Sequence, residues 1–309
     1  MSKYRVWLIL VITNLFWAGN YVFGKYVITE MSPLLITFSR WVLALIFLCP
    51  IAYFIEKPKW KLIRKAWLSL VSMGVLGILG YNMFLYSALE YTSATNAALV
   101  SALNPAVIVL FSVVLLREKI SRFQTLGIVV SLLGTLVVIT QGNLGQILQR
   151  GYNKGDLLML AAVVVWTLYS IIGRRLTIIP PITATAVSAL MATIIMIPLV
   201  LIQGVDITKI GPLAVTGILY MAIFPSLFSF IFWNISVRKI GISQAGIFLN
   251  LIPVFTAIIS GMLGERITGT QVLGGALVFM GVYLTSGMLD RKLAVSLSAL
   301  GESTPTQAE

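Results

Sequence analysis

Residues 116–127 read LREKISRFQTLG, and residues 263–274 read LGERITGTQVLG. Six of the twelve positions are identical and two more exchange Lys for Arg and Ser for Thr, so the stretches are copies of one motif. The match spreads outward at offsets of 147 or 148: Asn96-Ala97 pairs with Gln244-Ala245, Pro105 with Pro253, and Gly134 with Gly281. At an offset of 149, Trp17, Gly24 and Lys25 meet Trp166, Gly173 and Arg174. The chain reads as an internal duplication.

The duplicated unit is a membrane segment. Of 309 residues 59% belong to the AVILMFWYC set, only 10% are charged, and the mean hydropathy is +0.98. A soluble domain carries about a quarter charged residues, so the missing charge is the stronger departure. Apolar runs of about 20 residues, the length that crosses a bilayer, fall near 6–24, 33–55, 67–89, 94–115, 122–140, 157–173, 182–202, 212–236, 244–263 and 270–289. The first run is long, holds Trp17 and Asn20, and lacks an Ala-x-Ala cleavage site, so it reads as a retained helix. Each copy then holds five spans, an odd number, and the second copy must enter the membrane from the opposite face. The expected fold is an all-α integral membrane protein of ten transmembrane helices in two inverted five-helix repeats, 6–140 and 156–289, with a tail at 292–309. Inverted repeats of this kind place a substrate near the midplane where the two bundles meet, and exchange of their two arrangements supplies alternating access.

Charge sets the orientation. With the N-terminus in the cytoplasm, sixteen Lys and Arg residues fall inside, while Lys25, Arg150, Lys154, Lys209 and Arg266 fall outside and Arg40 lies within a span. That asymmetry places both termini and the tail in the cytoplasm of a cell that carries the protein in its plasma membrane. The net charge of +12 then faces anionic lipid headgroups and gives no reason to expect nucleic acid. With no His, one Cys and ten carboxylates, the chain lacks the material for a metal cluster or a nucleophilic triad, so neither an enzyme nor a cofactor is expected. No buried carboxylate or histidine is expected as a proton relay.

The Phe16-Trp17-Ala18 segment, Arg40-Trp41, and the stretch from Tyr86 to Pro105 followed by Glu118-Lys119-Ile120, Gln124 and Gly127 resemble the EamA domain of the drug/metabolite transporter superfamily. The second half carries the same pattern, and the resemblance covers about residues 6–289. It implies an exporter-like carrier with a central cavity lined by spans one, three and four and their counterparts six, eight and nine. Ala189 stands where a second Arg40 would be, so any role of Arg40 is not duplicated.

Asn14, Trp17, Asn20, Tyr21 and Gly24 share one face of the first span at helical spacing, and such a face points inward. Trp17 and Asn20 are candidate cavity wall, with Trp166 and Tyr169 in the equivalent places of the second half. Tyr86 and its match Asn234, and Asn96 and its match Gln244, complete a proposed lining of eight; Tyr81 and Asn82 either join it or face neighbours. Trp233, close to a helix end, reads as an interfacial belt residue. Pro105 and Pro253 kink their helices and free the carbonyls of Ser101 and Leu249, which a side chain, water or substrate must meet. Asn96, Asn104, Gln244 and Asn250 are near enough to serve either backbone or ligand. Arg40, eight residues from the outer end of its span, is satisfied by snorkelling outward or stacking on Trp41, and otherwise marks function. Gly127, Ser131, Thr135, Gly274, Ala276 and Gly281 are packing seams, either within the bundle or between the protomers of a homodimer.

The expected activity is secondary transport, the export of small metabolites such as amino acids, with a small-molecule substrate and membrane lipids as partners. A multidrug or cationic-solute exporter, a channel and a lipid-handling protein are the alternatives. Because the eight lining residues carry no formal charge, they suit neutral, zwitterionic or apolar-ended solutes better than sugar phosphates or nucleotide sugars.

Overall fold

A computed structural model describes residues 3–116, 121–139, 142, 153–206, 208 and 210–285. Among the described residues every regular element is helical. Helix α1 is Lys3–Val27, α2 is Pro33–Glu56 and α3 is Trp67–Tyr91. Helix α4 runs as Ala94–Ser101 and then Asn104–Leu116, and α5 is Arg122–Ile139. Helix α6 is Lys154–Arg175, α7 is Pro181–Gln203 and α8 is Pro212–Ile240. Helix α9 runs as Ile242–Ile247 and Leu251–Met262, and α10 is Gly269–Thr285. Eight of these, α1 to α4 and α6 to α9, are long and apolar enough to cross a membrane; α5 and α10 are apolar over the shorter Thr125–Val138 and Gly269–Gly281. The tail at 292–309, Arg150, Lys209 and Glu118-Lys119-Ile120 lie outside the described residues.

Local chemistry sets the helix ends. Ser32 caps α2, its Oγ accepting from the Leu35 N–H at 3.3 Å, and Pro33 follows in the first helical position, where a missing N–H costs nothing. Asn153 caps α6 through Gly155 N at 2.8 Å, which carries that helix three residues upstream of the expected start at 157 and takes Asp156 inside it. Two carboxylates cap helices of the other half. Glu56, at the end of α2, accepts from Ile182 N at 3.0 Å and Thr183 N at 2.6 Å in the first turn of α7; Glu30 accepts from Gly211 N at 2.6 Å at the start of α8. A short helix, Trp60–Lys65, joins α2 to α3.

The exterior is apolar and the interior partly polar. Leu201, Ile202 and Met262 are 76–83% exposed, while Asn14, Asn20, Arg40 and Asn82 are buried. Hydrocarbon inverts the preference that water imposes: apolar side chains face lipid, and polar ones must find partners within the bundle.

Helices of the first half pack on helices of the second: α2 on α7, α3 on α6, α1 on α8 and α9, and α5 on α10. The α5–α10 contact is the small-residue seam, and it lies within the chain. A Cβ at Gly134 would come within 2.7 Å of the Gly274 carbonyl oxygen, and one at Gly281 would overlap Ser131 and the Gly127 carbonyl. Glycine lets the two backbones meet there, and the Ser131 hydroxyl donates to the Val278 carbonyl at 3.3 Å. Ala276 is exposed and takes no part.

Two kinds of helix irregularity recur. Helix α4 breaks between Ser101 and Asn104, just before Pro105, and α9 turns through a 3₁₀ step at Phe248–Asn250, just before Pro253. Helices α3 and α8 each contain a seven-residue π turn, Gly74–Gly80 and Ala222–Phe228, at an offset of 148. These π turns left no trace in the hydropathy pattern, because a π turn keeps side chains apolar and changes only which carbonyl each N–H meets.

Candidate functional site

Two side-chain clusters occupy the junction of the halves. The polar one centres on Arg40, which is 1% exposed. Its Nε donates to Ser226 Oγ at 2.7 Å; its Nη1 donates to Asn20 Oδ1 at 2.7 Å, to Asn82 Oδ1 at 3.1 Å and to the Tyr86 hydroxyl. Tyr86 in turn donates to Asn20 Oδ1 at 2.8 Å. Arg40 therefore turns inward, not out to the interface, because four polar groups from α1, α3 and α8 meet it there. The rings of Trp41 and Tyr86 stand 6.0 and 5.9 Å from Cζ, so aromatic contact adds to this arrangement.

The π turn of α8 makes one of those contacts available. Pro225 has no N–H, so the Met221 carbonyl loses its usual donor, and the Ser226 hydroxyl donates to it at 2.7 Å while accepting from Arg40. The Pro225 carbonyl accepts the indole N–H of Trp17 at 3.2 Å. Neither contact was legible in the sequence, where 212–236 read as an uninterrupted apolar span.

The aromatic cluster adjoins the polar one. Trp17 and Trp166 meet edge to face with centroids 5.2 Å apart, so the two halves touch through matched residues. Phe230 touches Trp17, Trp166, Tyr169 and Trp41, the last at 4.8 Å, and so links Arg40's neighbour to the indole pair. Phe230 was not among the sequence candidates, since one Phe among fifteen carries no distinguishing signal. Tyr81 lies 4.9 Å from Trp166 and shares a hydrogen bond of 3.1 Å with Tyr21. Trp233 is fully buried, donates to Ser170 Oγ at 3.2 Å and lies 5.7 Å from Trp17, which corrects its reading as a belt residue. The indole nitrogen of Trp166 is buried and has no hydrogen-bond partner among the described residues.

Tyr169 and Asn234 form a third contact. Asn234 Nδ2 donates to the Tyr169 hydroxyl at 2.7 Å and to Thr185 Oγ1 at 3.0 Å. Position 169 matches 20 and position 234 matches 86, so the Asn20–Tyr86 bond of the first half recurs with its two residue types exchanged. Gly77 makes room for this: a Cβ there would overlap the Tyr169 ring.

Two of the eight proposed residues sit elsewhere. Asn96, half-buried at the start of α4, donates to Asp156 Oδ1 at 2.6 Å and to Thr92 Oγ1 at 3.0 Å. Lys25 Nζ caps the same corner through the Leu89 and Thr92 carbonyls at 2.7 and 2.9 Å. Asp156 is only 2% exposed, so the chain does hold a buried carboxylate, contrary to the sequence expectation; placing the helix start at 157 hid it. Gln244, half-buried at the start of α9, makes no side-chain hydrogen bond to a described residue. The carbonyl that Pro105 frees on Ser101 is met by Asn104 Nδ2 at 2.7 Å, whereas Asn250 Nδ2 serves Ile247 at 3.0 Å and leaves Leu249 to the 3₁₀ turn.

A cluster of rings and hydrogen-bonding groups at the junction of the two halves of a multi-pass bundle suits a membrane transporter, and comparison with known proteins shows that class. The chain belongs to the EamA-like transporter family, which matches residues 5–140 and 153–287. The uncharacterized transporter YyaM of Bacillus subtilis (strain 168) is 32% identical over 293 residues, covering 94% of this chain and 96% of its own. An uncharacterized transporter of Archaeoglobus fulgidus is 27% identical, covering 90% of this chain and 96% of its own. A protein of Salmonella typhimurium named "Probable amino-acid metabolite efflux pump" is 25% identical, covering 87% of this chain and 90% of its own. A solved crystal structure superposes with a TM-score of 0.71 at 23% identity over 94% of this chain and 99% of that one, a likeness of fold alone.

Proposed function

We propose that this chain is a secondary transporter that exports small metabolites such as amino acids across the plasma membrane by alternating access. In this reading ten transmembrane helices form two inverted five-helix repeats, 6–140 and 156–289, with both termini in the cytoplasm. The substrate binds between them against Trp17, Asn20, Tyr86, Trp166, Tyr169 and Asn234, with Asn96 and Gln244 nearer the helix ends. The observation that carries the proposal is the Trp17–Trp166 contact flanked by the exchanged Asn20–Tyr86 and Tyr169–Asn234 bonds, because it sets matched residues of both halves around one point. The matched π turns, the matched proline breaks and the reciprocal packing of α1 on α8 and α9 and of α6 on α3 and α4 support the repeat. The name borne by the Salmonella relative supports amino-acid efflux.

The test is transport by pure protein in liposomes. Saturable counterflow of a labelled amino acid is the expected result. Conductance that never saturates indicates a channel and sinks the proposal.

A further inference from the structure

Arg40 brings a formal charge to a site whose eight lining residues have none. Its four hydrogen bonds among the described residues all go to neutral groups, the amide oxygens of Asn20 and Asn82 and the hydroxyls of Tyr86 and Ser226, and all use Nε and Nη1. Three acceptors share Nη1, which has two hydrogens to give, while Nη2 makes no hydrogen bond to a described residue. The Nδ2 of Asn20, 3% exposed, likewise donates to no described residue. A buried cation whose partners among the described residues are all neutral is costly in a membrane interior, and an intramembrane charge of this kind marks a functional site. The partners are well suited to yielding: a carboxylate bridging Nη1 and Nη2 displaces one crowded acceptor, and the freed Tyr86 hydroxyl can turn to donate to the incoming oxygen.

The geometry points to Arg40 as the anchor for one carboxylate of the transported solute, an inference that rests on the carrier reading above and names its substrate class. The rings beside the guanidinium, 0–7% exposed, are closed on one another in this conformation and must part to take the solute's other end. Trp41 packs on Phe230, and Phe230 on Trp17 and Trp166, so an apolar or aromatic group attached to that carboxylate extends from the guanidinium into the rings. One positive charge balances one carboxylate. It leaves a second anionic group unpaired and repels a cation that has no carboxylate, which sets the site against sugar phosphates and cationic drugs alike. At the matched position of the second half Ala189 replaces Arg40, and Thr185 stands beside Asn234 instead.

Thermal unfolding of the detergent-purified full chain tests this apart from transport, using L-phenylalanine, phenylacetate and L-phenylalaninamide as probes. Both carboxylates are expected to raise the melting temperature, and the amide to require at least about tenfold higher concentration for an equal shift, as the loss of a charge-assisted pair implies. R40M is expected to abolish that preference and R40K to retain part of it. Because R40M leaves four buried polar groups without their donor, N20D serves as the second variant. Its built-in carboxylate occupies the guanidinium, so the protein is expected to melt higher and lose its response to the carboxylate probes. Equal shifts from acid and amide in the wild type, no shift from any probe, or an acid preference surviving in R40M or N20D would each overturn the assignment. Counterflow is scored separately: carboxylate-dependent shifts without counterflow would sink the carrier reading and leave the anion site standing.

Discussion

Trp166 separates packing from recognition at the level of a single atom. Its indole N–H is buried with no partner among the described residues, whereas that of Trp17 is spent on the Pro225 carbonyl. Trp166→Phe therefore removes no hydrogen bond from the structure and keeps most of the ring area, so the melting temperature should change little. If the N–H is reserved for substrate, counterflow should fall by roughly threefold to tenfold, the value of one buried hydrogen bond. Unchanged counterflow would remove Trp166 Nε1 from the site. Trp17→Phe makes the complementary case, since it orphans a carbonyl in the π turn and should lower stability and counterflow together. Exposed Tyr4 and Trp60 should tolerate replacement with no effect on transport.

Helix irregularities are where the elements do more than span. Asn104 Nδ2 meets the carbonyl that Pro105 frees, and both residues are buried. Asn104→Ala should cost about 1–3 kcal/mol, the penalty of an orphaned buried acceptor, read as a drop in melting temperature. Were the drop absent, water would be serving Ser101 in its place. At the α5–α10 seam the argument is steric. The Cβ of Gly134→Leu has no room against Gly274, and α10 must move away, so destabilisation should reach or exceed the roughly 1–3 kcal/mol of an overpacked core. Leu substituted at exposed Ala276, on the other face of α10, provides the control and should leave the melting temperature in place.

For the whole molecule the prediction is topological. The proposed topology, which sets sixteen positive charges inside against five outside, predicts residues 60 and 300 in the cytoplasm and residue 150 outside. Reporter fusions after those three positions should read in, out and in; a cytoplasmic reading at 150 contradicts the inversion. On the proposed alternating-access reading, the groups that join the halves, Arg40 to Ser226 and Trp17 to Trp166, are the contacts that would rearrange to open the site to either side.

The amino-acid order by itself determined the class of the molecule. A deficit of charge, runs of spanning length, the repeated Glu-Lys/Arg-Ile and Gln-x-Leu-Gly cluster and the paired prolines are properties of neighbouring residues and of fixed offsets, so a linear reading recovers them. It also found the polar face of α1 and the matched tryptophans, because helical period places Trp17 and Asn20 on one side. What only the tertiary structure decided are the partners. Arg40 looked outward because its distance from a helix end is a one-dimensional quantity; Asn20, Asn82, Tyr86 and Ser226, scattered over 206 positions, draw it inward only when α1, α3 and α8 assemble around α2. Asp156 and Trp233 were hidden for the same reason, each sitting at a span boundary in the sequence and under a neighbouring helix in space. Apolar runs report which segments enter the membrane. In hydrocarbon the side chains that carry specificity are the few polar ones, and their energies are set by the contacts that packing makes across the chain.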